Sequence, residues 1–284
     1  MAQPRLGFIG VGKVGNTLAR LLSTHGYAIS GIASRTYAHA DHLAKQLGAS
    51  VFKQPSDVLA YADVVFLTVP DDAIASIADT WVNVDLAGKT VVHTSGTHSL
   101  DVLKRLAENG ASIGTFHPAY PFATDTKSLN GVTFAVEGSD EITLHLLQVL
   151  ALSLGGVSLF IPQGQKALYH AALCICSNYT VTLYGIAERL LISMGASKSQ
   201  ADRTLNPLLN ATLANVLTVG VPNALTGPLI RNDVGTITAH LNALRDTDDR
   251  ELYLQLAQAT LPLLEQRGLP TNELITLFAK ESAV

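Results

Sequence analysis

The chain has 284 residues, of which 48% are hydrophobic and 15% are charged, and its formal net charge is −4. These values predict one large or two ordinary folded domains and exclude a disordered chain. Neither half has an excess of basic residues, so no nucleic-acid partner is expected. The two cysteines cannot build a disulfide framework, and polar residues interrupt the longest apolar stretch. We therefore expect a cytoplasmic protein without a signal peptide or a membrane partner.

The first part of the chain alternates short apolar runs with amphipathic stretches. The runs predict strands at Leu6–Gly10, Tyr27–Ala33, Val51–Phe52, Val64–Val69, Thr90–Thr94, Ser112–Phe116 and Thr133–Val136. The stretches between them predict helices, of which the clearest are Val14–Thr24, Tyr37–Leu47 and Leu100–Glu108. Such alternation indicates βαβ units around a buried parallel sheet, which is the α/β doubly wound class.

Beyond Pro162 the alternation ends and long helical patterns follow. They span Gln165–Ile192, Lys198–Val219, Gly235–Leu244, Asp249–Gln266 and Asn272–Lys280. Because Pro162 and Gly164 interrupt regular structure, we predict an α/β domain of residues 1–162 and an all-α domain of residues 163–284. The helical domain has few charges between Leu205 and Val221, which suggests a homodimer formed through it.

A glycine-rich turn joins the first predicted strand to the first predicted helix. Gly10, Gly12 and Gly15 form the G-x-G-x-x-G pattern, which indicates a dinucleotide-binding Rossmann domain in this strand–helix context. The pattern combines a tight turn, a close backbone approach to the diphosphate and tight packing of helix on strand, with the diphosphate at the helix N-terminus. The candidate cofactor-binding residues of this turn are Gly10, Val11, Gly12, Lys13, Val14 and Gly15.

The end of the second predicted strand distinguishes NAD from NADP. NAD-binding proteins usually have an acidic residue there for the ribose 2′-hydroxyl, and residues 31–36 contain none. Ser34, Arg35 and Thr36 can instead hold a 2′-phosphate, since a guanidinium offers a planar pair of donors. We therefore predict NADP(H) as the cofactor.

Other candidate residues follow later strands, at the edge of the sheet where ligands bind. Val69 and Pro70 are expected beside the nicotinamide ribose, and Asp72 is expected to cap the next helix. His93 lies within a strand and is expected to be structural. His117 follows another strand, where it either donates to a substrate carboxylate or caps the strand end. The candidate substrate-binding residues are Asn178, Ser95, Gly96, His117, Thr226 and Arg231.

The helical pattern after Pro162 combines an apolar surface with a polar stripe. At about 100° per residue, Lys166, His170 and Ser177 share one narrow stripe, and Asn178 flanks it. A helix that is apolar nearly all round is expected to be buried, where a lysine is costly without a partner or a function. Lys166 and His170 are the candidate catalytic residues. The alternative is a lysine that reaches solvent beside a core histidine.

Lys166-x-x-x-His170, after the pair Gly164-Gln165, resembles the K-x-x-x-N helix of the β-hydroxyacid dehydrogenase and 6-phosphogluconate dehydrogenase superfamily. Ketopantoate reductases have a related lysine helix. The resemblance implies that the lysine is the acid or base for the substrate oxygen. Because His170 replaces the asparagine, the acid is Lys166, His170 or a relay of both.

The whole chain more closely resembles a bacterial family of Rossmann-like NADP-binding proteins with a C-terminal helical domain of unknown function. The segments that carry this resemblance are Gly114–Phe122, Tyr169-His170, Ser177-Asn178, Ala224–Asp233 and His240. Some members resemble an alternative type of ketopantoate reductase, which makes ketopantoate the first substrate hypothesis.

These features predict an NADPH-dependent oxidoreductase that reduces the C=O group of a small 2-oxo acid to an alcohol. Lys166 or His170 would protonate the developing alkoxide, and burial would lower the pKa of Lys166 towards the working range. The alternatives are an imine reductase of the pyrroline-5-carboxylate reductase type and a non-catalytic NADP(H)-binding sensor. His117, His170 and His240 lack the spacing of metal ligands, so no metal is expected.

Overall fold

The structure is a computed structural model that describes residues 3–123, 125–162 and 164–282. Contacts divide the chain into two compact units, one ending at Asn178 and the other beginning at Tyr179. This division falls one helix later than the domain boundary suggested by the sequence, because the helix that begins at Lys166 bonds to strands of the first unit. The boundary at 162/163 itself stays a prediction.

The first unit is built on one eight-stranded sheet. Its strands are β1 (Leu6–Ile9), β2 (Ile29–Ala33), β3 (Ser50–Phe52), β4 (Val64–Leu67), β5 (Thr90–His93), β6 (Ser112–Pro118), β7 (Thr133–Gly138) and β8 (Val157–Leu159). Their order is β3-β2-β1-β4-β5-β6-β7-β8, and the pairs are parallel except β6 with β7. The predicted Rossmann-type α/β fold is confirmed, with one antiparallel pair where a wholly parallel sheet was expected.

Helices and apolar clusters flank this sheet. The helices of the first unit are α1 (Lys13–Thr24), α2 (Tyr37–Leu47), α3 (Asp71–Asp79), α4 (Lys104–Glu108), α5 (Glu141–Ser153) and α6 (Lys166–Cys176). Alternate residues of a strand point to opposite faces, so Phe8 and Phe66 join one buried cluster while Ile9 and Leu67 join another. Burial on both faces explains why β1 and β4 are apolar at every position.

The second unit is helical, as predicted. Its elements are α7 (Asn178–Ser193), which starts at the division, α8 (Lys198–Val219), α9 (Val221–Ala224), α10 (Val234–Ala243), α11 (Asp249–Gln266) and α12 (Asn272–Glu281). Residues such as Ile237, Leu241, Leu264 and Phe278 form its buried cluster. None of the helices described is long and apolar enough to cross a membrane.

The prediction of one continuous buried helix over Gln165–Ile192 is wrong in two respects. The helix ends at Cys176 with Ser177 as its C-cap, and a second begins at Asn178; serine and asparagine are residue types whose side chains compete with the backbone for hydrogen bonds. Within α6 only Lys166 is buried, whereas Leu168 and Ile175 are exposed. The apolar pattern of this helix therefore does not correspond to burial of its apolar side chains.

Candidate active site

The turn between β1 and α1 is held tightly against β4. Gly10 has a φ of +91°, a conformation that side chains other than glycine rarely adopt. The Thr68 hydroxyl donates to the Gly10 carbonyl, and a Cβ on Gly15 would overlap both of these groups. By contrast, a Cβ on Gly12 would meet nothing within 4 Å. The three glycines thus have the separate roles expected of them: a turn, an open approach and close packing.

The groove beside this turn fits a dinucleotide with a 2′-phosphate. Gly12 is the N-cap of α1 and no side chain caps that helix, so its first N–H groups can bind a diphosphate. The groove is lined by predicted residues that include Gly10, Val11, Gly12, Ser34, Arg35, Thr36, Val69 and Pro70. His39 and Lys53 also line it, which the sequence interpretation missed. Two cationic side chains with two hydroxyls form a donor set that suits a phosphate monoester.

Lys13, Val14 and Gly15 form the first turn of α1. The Lys13 ammonium donates to the carbonyl oxygen of Ala123 at 2.7 Å, in the segment that follows β6. Val14 packs against the sheet cluster that contains Phe8. Their roles in cofactor binding stay predictions.

A buried ion pair lies between α6 and the β6–β7 pair. Lys166 is 4% exposed, and its Nζ donates to Thr115 Oγ1 at 2.8 Å and lies 3.1 Å from Glu137 Oε1. Thr115 and Glu137 are directly opposite each other on the antiparallel strands, so their side chains share one face of the sheet. Burial lowers the pKa of Lys166, and the neighbouring carboxylate of Glu137 opposes that shift.

A second contact joins α6 to β6, two residues beyond Thr115 on that strand. His117 follows Thr115 by two residues and Tyr169 follows Lys166 by three, so each pair shares a face of its element. Nδ1 of His117 lies 3.0 Å from the Tyr169 hydroxyl. Burial, with the charges of His170 and Lys166, lowers the pKa of His117 to about 4. Burial raises the pKa of Tyr169 to about 12, so at neutral pH the pair is a neutral imidazole and a phenol.

The imidazole rings of His117 and His170 both approach Gly96, in the loop after β5. A Cβ on Gly96 would overlap the His170 ring and would lie 2.8 Å from Nε2 of His117. The ring centroids of the two histidines are 6.1 Å apart, and Nδ1 of His170 lies 3.6 Å from Cys174 Sγ. The structure thus brings four predicted residues, Lys166, His170, His117 and Gly96, into one cluster.

Hydrogen bonds of Ser95 and His93 hold the loop that contains Gly96. The Ser95 hydroxyl donates to Asp71 Oδ2 at 2.7 Å and accepts from the His98 N–H at 3.0 Å, which joins the loop after β5 to α3. His93 is fully buried, with Nδ1 accepting from the Ser95 N–H and Nε2 directed at the Ser99 carbonyl. Burial lowers its pKa to about 3. His93 is therefore structural, as predicted, and the hydroxyl of Ser95 is engaged within the protein.

Asp72 does not cap α3 as expected. The N-cap is Pro70, with no capping side chain, and Asp71 and Asp72 both lie in the first turn of the helix. A carboxylate in that turn still interacts favourably with the helix dipole. Asp71 has the additional task of accepting hydrogen bonds from the Ser95 and Thr97 hydroxyls.

Three predicted substrate-binding residues come later in the chain than α6. Thr226 and Arg231 occupy the segment between α9 and α10, in the second unit, and Asn178 begins α7. Asp233 caps α10 by accepting from the Thr236 N–H. The substrate roles of Asn178, Thr226 and Arg231 stay predictions.

The sequence interpretation missed the residues that fix the catalytic candidates in place. Thr115, Glu137 and Tyr169 were not assigned a role, although Glu137 is the one acidic residue of β7 and Tyr169 follows Lys166 at helical spacing. Over residues 3–123, 125–162 and 164–282, no three His, Cys, Asp or Glu side chains are grouped to hold a metal ion.

Two solved structures show the same fold in named reductases of low sequence identity. A reductive aminase from Aspergillus terreus, in complex with NADPH and ethyl-5-oxohexanoate, is 18% identical with a TM-score of 0.64, covering 99% of this chain and 93% of that one. A pyrroline-5-carboxylate reductase from Coxiella burnetii is 14% identical with a TM-score of 0.60, covering 93% and 98%. At these identities the likeness concerns the fold alone.

Two further proteins share more of their sequence with this chain. A candidate NADP oxidoreductase from Bacteroides fragilis is 25% identical with a TM-score of 0.75, covering 90% of this chain and 97% of that one. The cytokine-like nuclear factor N-PAC of Anopheles gambiae is 23% identical over 209 residues. That match covers 71% of this chain, and the chain spans only 36% of the relative's length.

Two family models match successive parts of the chain. Residues 5–96 match the family described as NADP oxidoreductase, coenzyme F420-dependent, and residues 132–260 match a domain of unknown function, DUF2520. The expected NADP(H) cofactor and the C-terminal domain of unknown function are thereby confirmed. The relation to ketopantoate reductases and to 6-phosphogluconate dehydrogenases stays a prediction. The similarity is therefore to an NADP oxidoreductase family over residues 5–96 and to DUF2520 over residues 132–260.

Proposed function

We propose that this NADP-dependent oxidoreductase reduces the C=O group of a small 2-oxo acid, with ketopantoate as the first candidate. The observation that carries the proposal is the cluster of Lys166, His170 and His117 against Gly96. It lies at the carboxyl ends of β5 and β6, and Asp71 links its loop to the segment after β4 that lines the cofactor groove. Proton-donating groups next to a nicotinamide site are what carbonyl reduction requires.

The overall reaction consumes NADPH, a proton and the oxo acid, and yields NADP+ and a 2-hydroxy acid. When bound, the cofactor supplies a hydride to the carbonyl carbon. Ser34, Arg35 and Thr36 hold its 2′-phosphate in this proposal, with Lys53 and His39 beside them. The N-terminus of α1 holds the diphosphate.

The proton for the substrate oxygen comes from the cluster. We assign it to His170, because its ring contacts Gly96 while the Lys166 ammonium is held by Thr115 and Glu137. Lys166 then contributes positive charge, which favours a developing alkoxide. Direct donation by Lys166, or a relay through both residues, is the competing assignment. A general acid of this kind contributes about 10²- to 10⁴-fold in rate.

The remaining assignments concern the substrate carboxylate and the oligomer. Arg231 is proposed to pair with the carboxylate because a guanidinium binds it through two parallel hydrogen bonds, with Thr226 and Asn178 as further ligands. We also propose a homodimer through the helical region, where Val181, Met194 and Leu217 expose most of their surface.

The second candidate is reduction of a C=N bond. Its support is the fold shared with a reductive aminase and a pyrroline-5-carboxylate reductase. A non-catalytic NADP(H) sensor is the third outcome, since it would bind the cofactor without oxidising it.

The test follows NADPH consumption by the purified protein with a panel of 2-oxo acids, including ketopantoate, and with pyrroline-5-carboxylate. We expect turnover with one oxo acid, and a loss of at least about 100-fold in kcat in His170→Ala with NADPH affinity unchanged. The matched control is His145→Ala, an exposed histidine on α5. Consumption with the imine alone would establish the second candidate, and tight binding without any consumption would establish the sensor.

Lys166→Ala separates the competing proton donors. Loss of turnover in Lys166→Ala with wild-type turnover in His170→Ala would move the acid to the lysine. Wild-type turnover in both variants would refute the mechanism, although the NADPH-dependent activity itself would stand.

A further inference from the structure

We infer that His117 is a neutral hydrogen-bond donor that polarises the substrate carbonyl oxygen through Nε2–H, and that Tyr169 is the positioning residue that selects this tautomer. The inference rests on the proposed function, which it deepens by naming the group that binds the reacting oxygen. It starts from three observations: the contact between His117 and Tyr169, the surroundings of Nε2, and the charges that face the ring.

The hydroxyl of Tyr169 determines which nitrogen of His117 has the hydrogen. Nδ1 lies 3.0 Å from that hydroxyl, with the two rings nearly perpendicular at 89°. If Nδ1–H were the donor, the phenol hydrogen would need another acceptor, and among the described residues of the first unit His117 alone hydrogen-bonds this hydroxyl. Leaving a half-buried hydroxyl hydrogen unpaired is costly, so the phenol donates to Nδ1. A neutral imidazole has one hydrogen, which then sits on Nε2.

Nε2 of His117 lies beside Gly96, in the loop after β5. A Cβ on Gly96 would come within 2.8 Å of this nitrogen, so only a residue without a side chain fits there. Among the described residues of the first unit, no protein group accepts a hydrogen bond from Nε2. A partly buried donor without a protein partner favours an acceptor supplied by a ligand.

The charges around His117 keep the ring neutral. The titratable groups that face it are Tyr169, His170 and Lys166 from α6 and Asp71 from α3. Burial and the cationic groups disfavour an imidazolium more than Asp71 favours it. A neutral imidazole that donates one hydrogen bond polarises a carbonyl without releasing its proton, so the proton transfer is left to His170.

This arrangement selects the chemical class of the substrate. An N–H donor beside the positive charge of Lys166 stabilises negative charge that develops on an oxygen. A protonated imine is a cation with its own N–H, and it would meet a donor where it needs an acceptor. The site therefore fits a ketone oxygen better than an iminium nitrogen.

The first test reads the tautomer directly, without turnover. Nitrogen-15 NMR of the imidazoles at pH 7, with His117 assigned by its loss in His117→Gln, should show the Nε2–H form. Tyr169→Phe should convert it into a mixture with the Nδ1–H form, while Tyr61→Phe, an exposed tyrosine elsewhere in this unit, should leave it unchanged. An Nδ1–H or doubly protonated ring in the wild type, or an unaltered ring in Tyr169→Phe, would overturn the inference.

The second test uses kinetics, because the two amide residues mimic different ring nitrogens. Gln places its amide near the position of Nε2 and Asn places its amide near Nδ1. We expect His117→Gln to keep kcat within about 10-fold of the wild type, whereas His117→Asn loses about 100-fold or more. Tyr169→Phe should lower kcat by about 10-fold with little change in KM, as the loss of one neutral hydrogen bond implies.

The outcomes separate this inference from the proposed function. Equal kcat in His117→Gln and His117→Asn, with an active wild type, would overturn the inference and leave the reductase intact. If the wild type reduces no oxo acid, the proposed function fails, and the NMR experiment is completed by adding 2-oxoisovalerate to the protein with NADP+. A downfield shift of the His117 Nε2 proton would keep the donor role in ligand binding, and no shift would end it.

Discussion

The cofactor groove and the cluster of Lys166, His170, His117 and Gly96 are built in opposite ways. The groove depends on Gly10, Gly12 and Gly15, which lie within one strand–turn–helix segment. The cluster depends on Lys166 and Thr115, which are 51 residues apart, and on Tyr169 and His117, which are 52 apart. A site encoded by local spacing tolerates few changes at its glycines, whereas a site assembled over distance depends on each long-range contact.

The largest effect is expected in the glycine turn, where replacing glycine by alanine should have different results at Gly15 and at Gly12. In Gly15→Ala the new Cβ overlaps the Gly10 carbonyl and the Thr68 hydroxyl, so α1 must move. We expect a loss of about 3 kcal/mol in the free energy of unfolding and at least about 100-fold weaker NADPH binding. Gly12→Ala meets no atom within 4 Å, so its stability should stay within about 0.5 kcal/mol while NADPH binding weakens. Urea unfolding and NADPH titration would contradict this contrast if both variants unfolded alike.

The next effect concerns the long-range ion pair. Lys166→Met leaves the Glu137 carboxylate, only 15% exposed, without its cation. Because removing one member of a buried pair strands the other charge, we expect a loss of about 2–4 kcal/mol in the free energy of unfolding. Adding Glu137→Met to that variant should restore most of the loss, as measured by urea unfolding. An unchanged urea midpoint in the single variant would show that the pair is not needed for stability.

Acidification should lower the free energy of unfolding of this protein. The folded pKa values of His93 and His117, about 3 and about 4, lie below the ordinary value of 6.5. The unfolded chain therefore binds more protons below pH 6.5, so stability is present above that pH and is lost as the pH falls towards these values. Each histidine contributes a slope that approaches about 1.4 kcal/mol per pH unit.

This pH dependence is best measured between pH 6.5 and 5, where most carboxylates stay ionised. His93→Gln should flatten the slope of the unfolding free energy over that range. His145→Gln, an exposed histidine, should leave the slope as it is in the wild type. Equal slopes in all three proteins would contradict the low folded pKa of His93.

The smallest effect is expected at the 2′-phosphate end of the groove. Arg35→Ala and Lys53→Ala should each weaken NADPH binding by about 10-fold, because one charge-assisted hydrogen bond is lost. NADH binding should not change, since NADH lacks the 2′-phosphate. Lys45→Ala, an exposed lysine paired with Asp41, is the control. Parallel losses for NADH and NADPH would place the two residues away from the phosphate.

What could be predicted from the sequence follows the same division. The α/β class, the glycine turn and the NADP(H) preference depend on neighbouring residues, and the sequence indicates all three. The partners of Lys166 could not be inferred, because the reversal of β7 that places Glu137 opposite Thr115 has no local signature. The apolar pattern of α6 predicts burial, whereas only Lys166 of this helix is buried, because a pattern identifies an apolar face and not what packs against it.

The antiparallel direction of β7 also determines how far along the sheet the Glu137 carboxylate lies. In a parallel strand, a residue as late as Glu137 would emerge at the carboxyl edge, among the groups that meet the ligand. Antiparallel pairing instead sets it opposite Thr115, two positions before His117 on β6. The carboxylate thus pairs with Lys166 within the protein, away from the carboxyl edge of the sheet. One change of strand direction therefore spares this lysine the cost of an unpaired buried cation.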